Sequence, residues 1–295
     1  MTQQNFALGQ AIKSTKGDFY KIIQVLGEGK SATAFLALKT SSNDRGTFCV
    51  LKLMQHPSDS VKSANFNSEQ ANIKSLTHSS IMQIRDDGVF KSAQTGESYP
   101  FYVCDFYRNN LSQFIRNDSV KVTQKLSFAI QLCSSLAYLS SKNIVHCDIK
   151  PDNIYTDGFK CVVADFGLSR ATGATATNVD LPSLHTYRSP DIVDAIINGT
   201  PLTSKSDVFQ LGLVLTELFT GKNPCLKRDD GSSKVFIDDI EPIYGKYNKQ
   251  IRHLLEEMLR IEANKRPDAS SLIDRWQTVQ FEAYDYLLEI DKNVF

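Results

Sequence analysis

Three short stretches of this chain carry residues that could handle phosphate groups. The first is VLGEGKSATAF, Val25–Phe35. It contains Gly29-Lys30-Ser31, the ending of the phosphate-wrapping pattern G-x-x-x-x-G-K-[ST], but Gln24 stands where that pattern needs its first glycine. The pattern must also lead into a helix whose N-terminal amides hold the phosphate, and ATAFLALKT reads instead as a strand. What remains is a glycine turn between two strands, where Gly27 and Gly29 let backbone amides approach a phosphate with no Cβ in the way. By itself such a turn is more often only a tight hairpin. The other two stretches are HCDIKPDN, with His146, Asp148, Lys150 and Asn153, and ADFGLSR, with Asp165. Upstream, CVLK ends a strand on Lys52, and SEQANIKSLTH places Glu69 on a helix. Each alone has a bland account as a solvated charge or a polar loop; their order and spacing make chance a poor explanation.

Positioning such groups takes an ordered scaffold. With 295 residues, 41% of them apolar and 22% charged, the chain can bury a real core, as one large domain or as two lobes sharing a cleft. FYKIIQVL and AFLALKT flank the glycine turn as strands, and GTFCVLKLM follows the turn-like SSNDRG. SANFNSEQANIKSLTH predicts a helix with Phe66, Ile73 and Leu76 roughly on one face. IMQIRDDGVF and YPFYVCDF predict two more strands. From about residue 111 the pattern turns helical, first in TQKLSFAIQLCSSLAYLSS, then in KSDVFQLGLVLTELFTG, YNKQIRHLLEEMLR and DASSLIDRWQTVQFEAYDYLLEI. The join falls near DFYRNN, and no internal repeat or low-complexity tract is visible.

Lys plus Arg (33) equals Asp plus Glu (33), so bulk charge gives no case for a nucleic-acid partner or an acidic membrane. The N-terminus has no apolar run of signal-peptide length, and no stretch approaches a membrane span. The six cysteines form no C-x-x-C pair, which fits a reducing compartment. These observations lead us to expect a soluble, intracellular, cytoplasmic protein, with its oligomeric state left open.

GEGKSA, CVLK, HCDIKPDN, DFG and SPD follow the order of the protein kinase signature set: glycine loop, V-A-I-K lysine, H-R-D-L-x-x-x-N, D-F-G and A-P-E. SDVFQLG and NKRP sit where the family has D-V-W-S-x-G and its late K-R-P. The chain resembles the protein kinase catalytic domain over nearly its full length. The resemblance implies an α+β, bilobal protein kinase-like fold, with a small antiparallel β-sheet N-lobe carrying one helix and a larger, mainly helical C-lobe. It sets an N-terminal extension at 1–18, the catalytic domain at 19–280 and a helical tail at 281–295. Within the domain the N-lobe spans about 19–105, the hinge about 105–110 and the C-lobe about 111–280. The tail reads as a helix end packed on the large lobe, or as a docking segment.

By that resemblance the cofactors are ATP and Mg²⁺. Phosphoryl transfer asks for positioning and charge neutralisation more than covalent work. Leu26, Gly27, Glu28, Gly29, Lys30, Ser31 and Ala32 would form the lid over the nucleotide, and Ala34 and Val50 the roof of the adenine pocket. Lys52 would bind the α/β-phosphates and pair with Glu69. Cys104 would be the gatekeeper, Asp105 and Tyr107 would offer hinge backbone to the adenine edge, and Tyr155 would form the floor. Asp165 and Asn153 would hold Mg²⁺ through hard oxygen atoms. Asp148 would accept the substrate hydroxyl proton, and Lys150 would touch the transferring phosphate. Lys150 marks the Ser/Thr branch, since tyrosine kinases usually read A-A-R-N there. Asp207 reads either as a helix capping-box member with Ser204 or as buried support for the catalytic loop, and Asp191 and Arg266 as an ion pair.

Several positions depart from the family pattern. Ala32 replaces the third glycine of the lid. Ala34 and Val50 exchange the usual Val and Ala, which roughly conserves volume, so ATP is expected still to fit. Tyr155 replaces the usual Leu and could stack on adenine or narrow the cleft. Cys147 replaces the H-R-D arginine that in many kinases receives an activation-loop phosphate, so activity is expected not to depend on a phosphate docking there. Thr172, Thr175, Thr177, Ser183 and Thr186 remain as phosphorylation candidates in the segment 168–189, and Leu184 stands where a threonine usually bonds the catalytic Asp.

The leading reading is an ATP- and Mg-dependent Ser/Thr protein kinase acting on protein hydroxyls, with autophosphorylation possible. A pseudokinase scaffold fits the altered positions. A small-molecule phosphotransferase of kinase-like fold shares the H-x-D-x-x-x-x-N pattern.

Overall fold

The computed structural model describes residues 8–29, 31–41, 46–116, 120–174, 186–227, 233–235 and 247–292. The chain divides into two units, residues 1–77 with 81–107 and residues 78–80 with 108–295.

The first unit is an antiparallel sheet with one helix. Its strands are β1 (Ala11–Lys13), β2 (Phe19–Glu28), β3 (Ala32–Lys39), β4 (Phe48–Met54), β5 (Ile84–Lys91) and β6 (Ser98–Asp105), in the order β1-β2-β3-β4-β6-β5. Period-two alternation sorts their faces: Phe35 and Ala37 of β3, Leu51 and Leu53 of β4 and Phe101 and Val103 of β6 are buried together. Glycine is required at 88, because a Cβ there would stand 2.8 Å from the Phe101 ring on the neighbouring strand. β1 comes from the stretch the sequence set apart as an extension; Ile12, opposite Tyr20 of β2, is 1% exposed.

Helix α1 (Ser60–Ser75) starts three residues earlier than the apolar pattern suggests. Asp59 is the cause: its carboxylate accepts from Val61 N and Lys62 N, both at 3.1 Å, satisfying two of the free donors of the first turn. The helix buries Phe66, Glu69 and Ile73.

The second unit is mainly helical. β7 (Asn109–Asn110) leads into α2 (Leu111–Ile115), which a reciprocal Asn110–Gln113 capping box starts. α3 (Val122–Ser141) buries Leu126, Phe128, Ala129, Leu132, Cys133 and Leu136 at helical spacing, while Ile130 and Ala137, apolar at the same period in the sequence, stay half-buried. β8 (Ile144–Val145), β9 (Ile154–Thr156), β10 (Cys161–Val163) and β11 (Arg170–Ala171) are short strands that bracket the polar loops, paired as β10-β9-β7 and β11-β8.

α4 (Pro190–Asn198) begins on a Ser189 cap with Pro190 at its first turn. α5 (Lys205–Thr220) has thirteen of its sixteen residues buried, so it runs through the interior rather than along a surface. β12 (Cys225–Lys227) pairs with β13 (Ser233–Val235), and α6 (Asn248–Met258) and α7 (Ala269–Lys292) complete the unit. Trp276 of α7 is fully buried and stacks on Phe219 of α5 at 5.6 Å. α7 continues unbroken past residue 281: Ala283 is buried while Phe281 and Tyr284 face outward.

The architecture is the α+β arrangement expected from the sequence, a sheet with one helix followed by a larger helical unit. Among the described residues no helix is long and apolar enough to cross a membrane.

Candidate active site

In the first unit the glycine turn joins β2 to β3 and closes with Gly29 N donating to Ala32 O at 2.8 Å. Leu26, Gly27, Glu28 and Gly29 are exposed, Ser31 is half-buried and Ala32 buried. Lys30 lies outside the described residues.

Cross-strand register then settles which side chains share a face. Ala34, Lys52 and Tyr102 are partners across β3, β4 and β6, and Leu36, Val50 and Cys104 form the next row on that face. The apparent exchange of volume between Ala34 and Val50 is therefore made within one surface.

Lys52 Nζ donates to Glu69 Oε1 at 2.7 Å, so the β4 lysine and the α1 carboxylate meet. Sequence reasoning missed a third member. Tyr102 donates its hydroxyl to the same Glu69 oxygen at 3.0 Å, its ring lies 5.8 Å from the Lys52 ammonium, and Phe66 packs against it at 5.4 Å. The available signal was its alternate position two residues before Cys104, on the same face of β6. Glu69 is nearly buried and is kept there by a cation and a hydroxyl, as a carboxylate in that setting must be.

Cys104 is 6% exposed, and burial pushes its thiol up to about 12, so it behaves as a small apolar side chain. Asp105 is half-buried and takes a bidentate pair from Arg85 at 2.8 and 2.6 Å; Tyr107 is half-buried.

In the second unit the loop after β8 carries the remaining groups. Asp148 Oδ2 accepts from Lys150 Nζ and from Asn153 Nδ2, both at 2.8 Å, and Asn153 Nδ2 also reaches Asp148 O at 2.9 Å. Asn153 Nδ2 is thus spent on Asp148, which leaves its carbonyl Oδ1 as the hard acceptor. Asp165 is exposed and adopts a left-handed φ of 64°. A Cβ on Gly167 would come within 3.3 Å of its Oδ1, so glycine gives that carboxylate room. These oxygen donors suit Mg²⁺, which shares phosphate oxygens and water rather than needing a full protein cage. Among the described residues no group of three or more His, Cys, Asp or Glu could hold a metal alone. Tyr155 is half-buried on β9, opposite Val162 and Asn110.

His146 organises the loop from below. It is fully buried and donates through Nε2 to Ala164 O at 3.1 Å, while Nδ1 accepts from Asp148 N at 3.3 Å. Those partners fix the neutral tautomer, and burial holds its pKa below the ordinary range. Its ring meets the Phe166 edge at 4.7 Å, which joins the D-F-G stretch to the loop.

Asp207 of α5 accepts from His146 N at 2.7 Å and Cys147 N at 2.9 Å. It is support for the loop; Ser204 makes no side-chain cap bond. Burial pushes the Asp207 carboxyl up to about 7, although the two peptide donors favour its charged form. Arg266, 2% exposed, pairs with Asp191 and donates to the carbonyls of Lys205, Arg260 and Ile261 at 2.8, 2.6 and 2.7 Å.

Cys147 has φ 68° and packs against Ile192 and Leu202 beside a cavity of about 40 Å³. Burial raises its thiol pKa strongly. No cationic side chain occupies this position. Thr172 N donates to Asn143 O at 2.8 Å, and Thr186 is half-buried; Thr175, Thr177, Ser183 and Leu184 lie outside the described residues.

Comparison with known proteins follows the same lines. The family model for the protein kinase domain matches residues 20–276. A probable serine/threonine-protein kinase, PknB of Lactococcus lactis, is 30% identical over 226 residues, covering 75% of this chain and 34% of its own. Serine/threonine-protein kinase Nek3 of Mus musculus is 27% identical over 269 residues, 88% of this chain and 49% of its own. Serine/threonine-protein kinase PrkC of Bacillus subtilis is 32% identical over 225 residues, 74% of this chain and 32% of its own. The chain thus spans about a third to a half of the length of these curated relatives. With the lysine–glutamate pair, the braced aspartate loop and a family match across most of its length, the chain belongs to the protein kinase domain family.

Proposed function

We propose that this chain transfers the γ-phosphate of ATP to Ser or Thr hydroxyls of proteins, with Mg²⁺ as the metal. The observation that carries this reading is the Asp148 carboxylate, set by Lys150 and Asn153 at 2.8 Å each. One oxygen takes both contacts, which leaves the other to accept a hydroxyl proton and orient that hydroxyl for in-line attack. Lys150 would neutralise charge on the transferring group. Lys52, steadied by Glu69 and Tyr102, would hold the α/β-phosphates. Asn153 Oδ1 and the exposed Asp165 carboxylate would hold Mg²⁺, which supplies charge neutralisation at the phosphates when bound. Ser/Thr specificity rests on Lys150 and on the likeness to serine/threonine-protein kinases.

The test is transfer from γ-labelled ATP with Mg²⁺, comparing the wild type with Asp148→Asn, generic protein acceptors being present. Phosphatase-treated protein serves as the enzyme, because Cys147 offers an incoming phosphate no charge. We expect label on Ser or Thr that falls by at least about 100-fold in the variant. Nucleotide binding without any transfer by the wild type would refute the reading in favour of a scaffold; label found only on a small-molecule acceptor would favour the phosphotransferase.

A further inference from the structure

Gln210 sits where the family pattern D-V-W-S-x-G has Ser, inside the apolar run VFQLGLVL, and is 3% exposed. A buried amide must find partners. Its Oε1 accepts from Ile149 N at 3.3 Å, and its Nε2 donates to Cys147 O at 3.2 Å and Tyr187 O at 3.0 Å. One N–H donor and two carbonyls face the amide, so its orientation is fixed by what surrounds it. Cys147 and Ile149 are the two neighbours of Asp148. One turn earlier on the same helix face, Asp207 holds His146 N and Cys147 N. Two side chains of α5 therefore grip four backbone groups around Asp148. Cys147 keeps a left-handed φ of 68°, a conformation that a non-glycine residue retains only where its surroundings over-determine it.

We propose that Gln210 is a positioning residue for Asp148, tying the peptide units on either side of the base to the Tyr187 segment that enters α4. This rests on the reading of Asp148 as the base. The amide supplies through backbone groups a link between loop and segment that Cys147, lacking a guanidinium group, does not make.

Gln210→Met keeps the length and removes all three hydrogen bonds. Gln210→Glu keeps the volume and the acceptor for Ile149 N but loses the donor. In Gln210→Met, amide exchange at Ile149 should rise about ten-fold or more while Cys147 N, held by Asp207, stays protected. Its kcat should fall about ten-fold with KM for ATP within about two-fold, a split that general destabilisation would not give. In Gln210→Glu, kcat relative to wild type should recover as pH falls, since protonating the carboxyl restores one donor.

Unchanged Ile149 exchange, or a kcat within about two-fold of wild type, would overturn the proposal. If Gln210→Met does not fold, Gln210→Glu, which keeps the Ile149 acceptor, decides by its kcat and pH profile, a kcat within about two-fold of wild type or an unchanged pH profile counting against the proposal. A wild type that transfers no phosphate would refute the kinase reading instead, and Ile149 exchange would then judge the grip alone.

Discussion

The loop at 146–153 and the glycine turn at 27–32 are held in different ways. Around the loop, Asp207, Gln210 and the His146 ring bond to consecutive backbone groups from beneath, and all three are almost wholly buried. The glycine turn closes on backbone bonds, Gly29 N to Ala32 O and Gln55 N to Ser31 O at 3.0 Å, and a Cβ on Gly27 would meet nothing within 4 Å. A carboxylate that, as proposed for Asp148, must meet a hydroxyl at one angle needs restraint on both sides of its peptide unit. A turn whose amides, on the proposed function, close over a nucleotide needs clearance more than bracing. The same chain therefore spends buried polar side chains on one stretch and leaves the other nearly bare.

The largest expected effect comes from removing a brace. Asp207→Ala leaves the His146 and Cys147 amides without their acceptor in a buried place, and should lower stability by about 3 kcal/mol or more. Urea unfolding would measure it; a loss below about 1 kcal/mol would mean the loop is not held from beneath.

A smaller effect should come from His78, which braces another turn of the second unit. Its Nδ1 accepts from Ser80 N at 3.0 Å, Nε2 meets Ser134 Oγ at 3.1 Å and the ring stacks on Tyr138 at 5.2 Å. Burial first, and then the charge of Lys160, hold its pKa below 6.5. The unfolded ring therefore takes a proton at higher pH than the folded one, and the contribution of His78 is lost as pH falls through that range. The stability gap between wild type and His78→Gln should be widest above pH 6.5 and narrow below it, Asp207 titrating alike in both. A gap that stays constant between pH 7.5 and about 5 would show that the ring is not held neutral.

The smallest effect belongs to the bare turn. Gly27→Ala should change stability by no more than about 0.5 kcal/mol, because the added methyl meets open space at a backbone conformation any residue can adopt. A loss of about 2 kcal/mol would erase the contrast between the two stretches.

Much of this was legible from residue order. The six charged or polar groups from Lys52 to Asp165 stood in sequence patterns, and alternation marked the sheet. Ser189-Pro190-Asp191 carries a cap and a first-turn proline, yet the motif match alone does not mark the helix α4 that follows it. The apolar period starts α1 three residues late because Asp59, its cap, lies in a polar stretch before that period begins. β1 is three residues long, too short for a period to show, and only pairing with β2 defines it.

What the sequence determined by itself is the inventory and order of the candidate reacting groups, since the proposed phosphoryl transfer restricts which side chains can bind phosphate, hold Mg²⁺ and accept a proton. The tertiary structure decided what holds them: Tyr102 on Glu69, the tautomer of His146, the burial of Cys104 and the Gln210 amide beside Asp148. Those partners meet across gaps of 18 to 61 residues. A local pattern records the period of an element, whereas a hydrogen bond between distant segments exists only once packing has brought its donor and acceptor within reach.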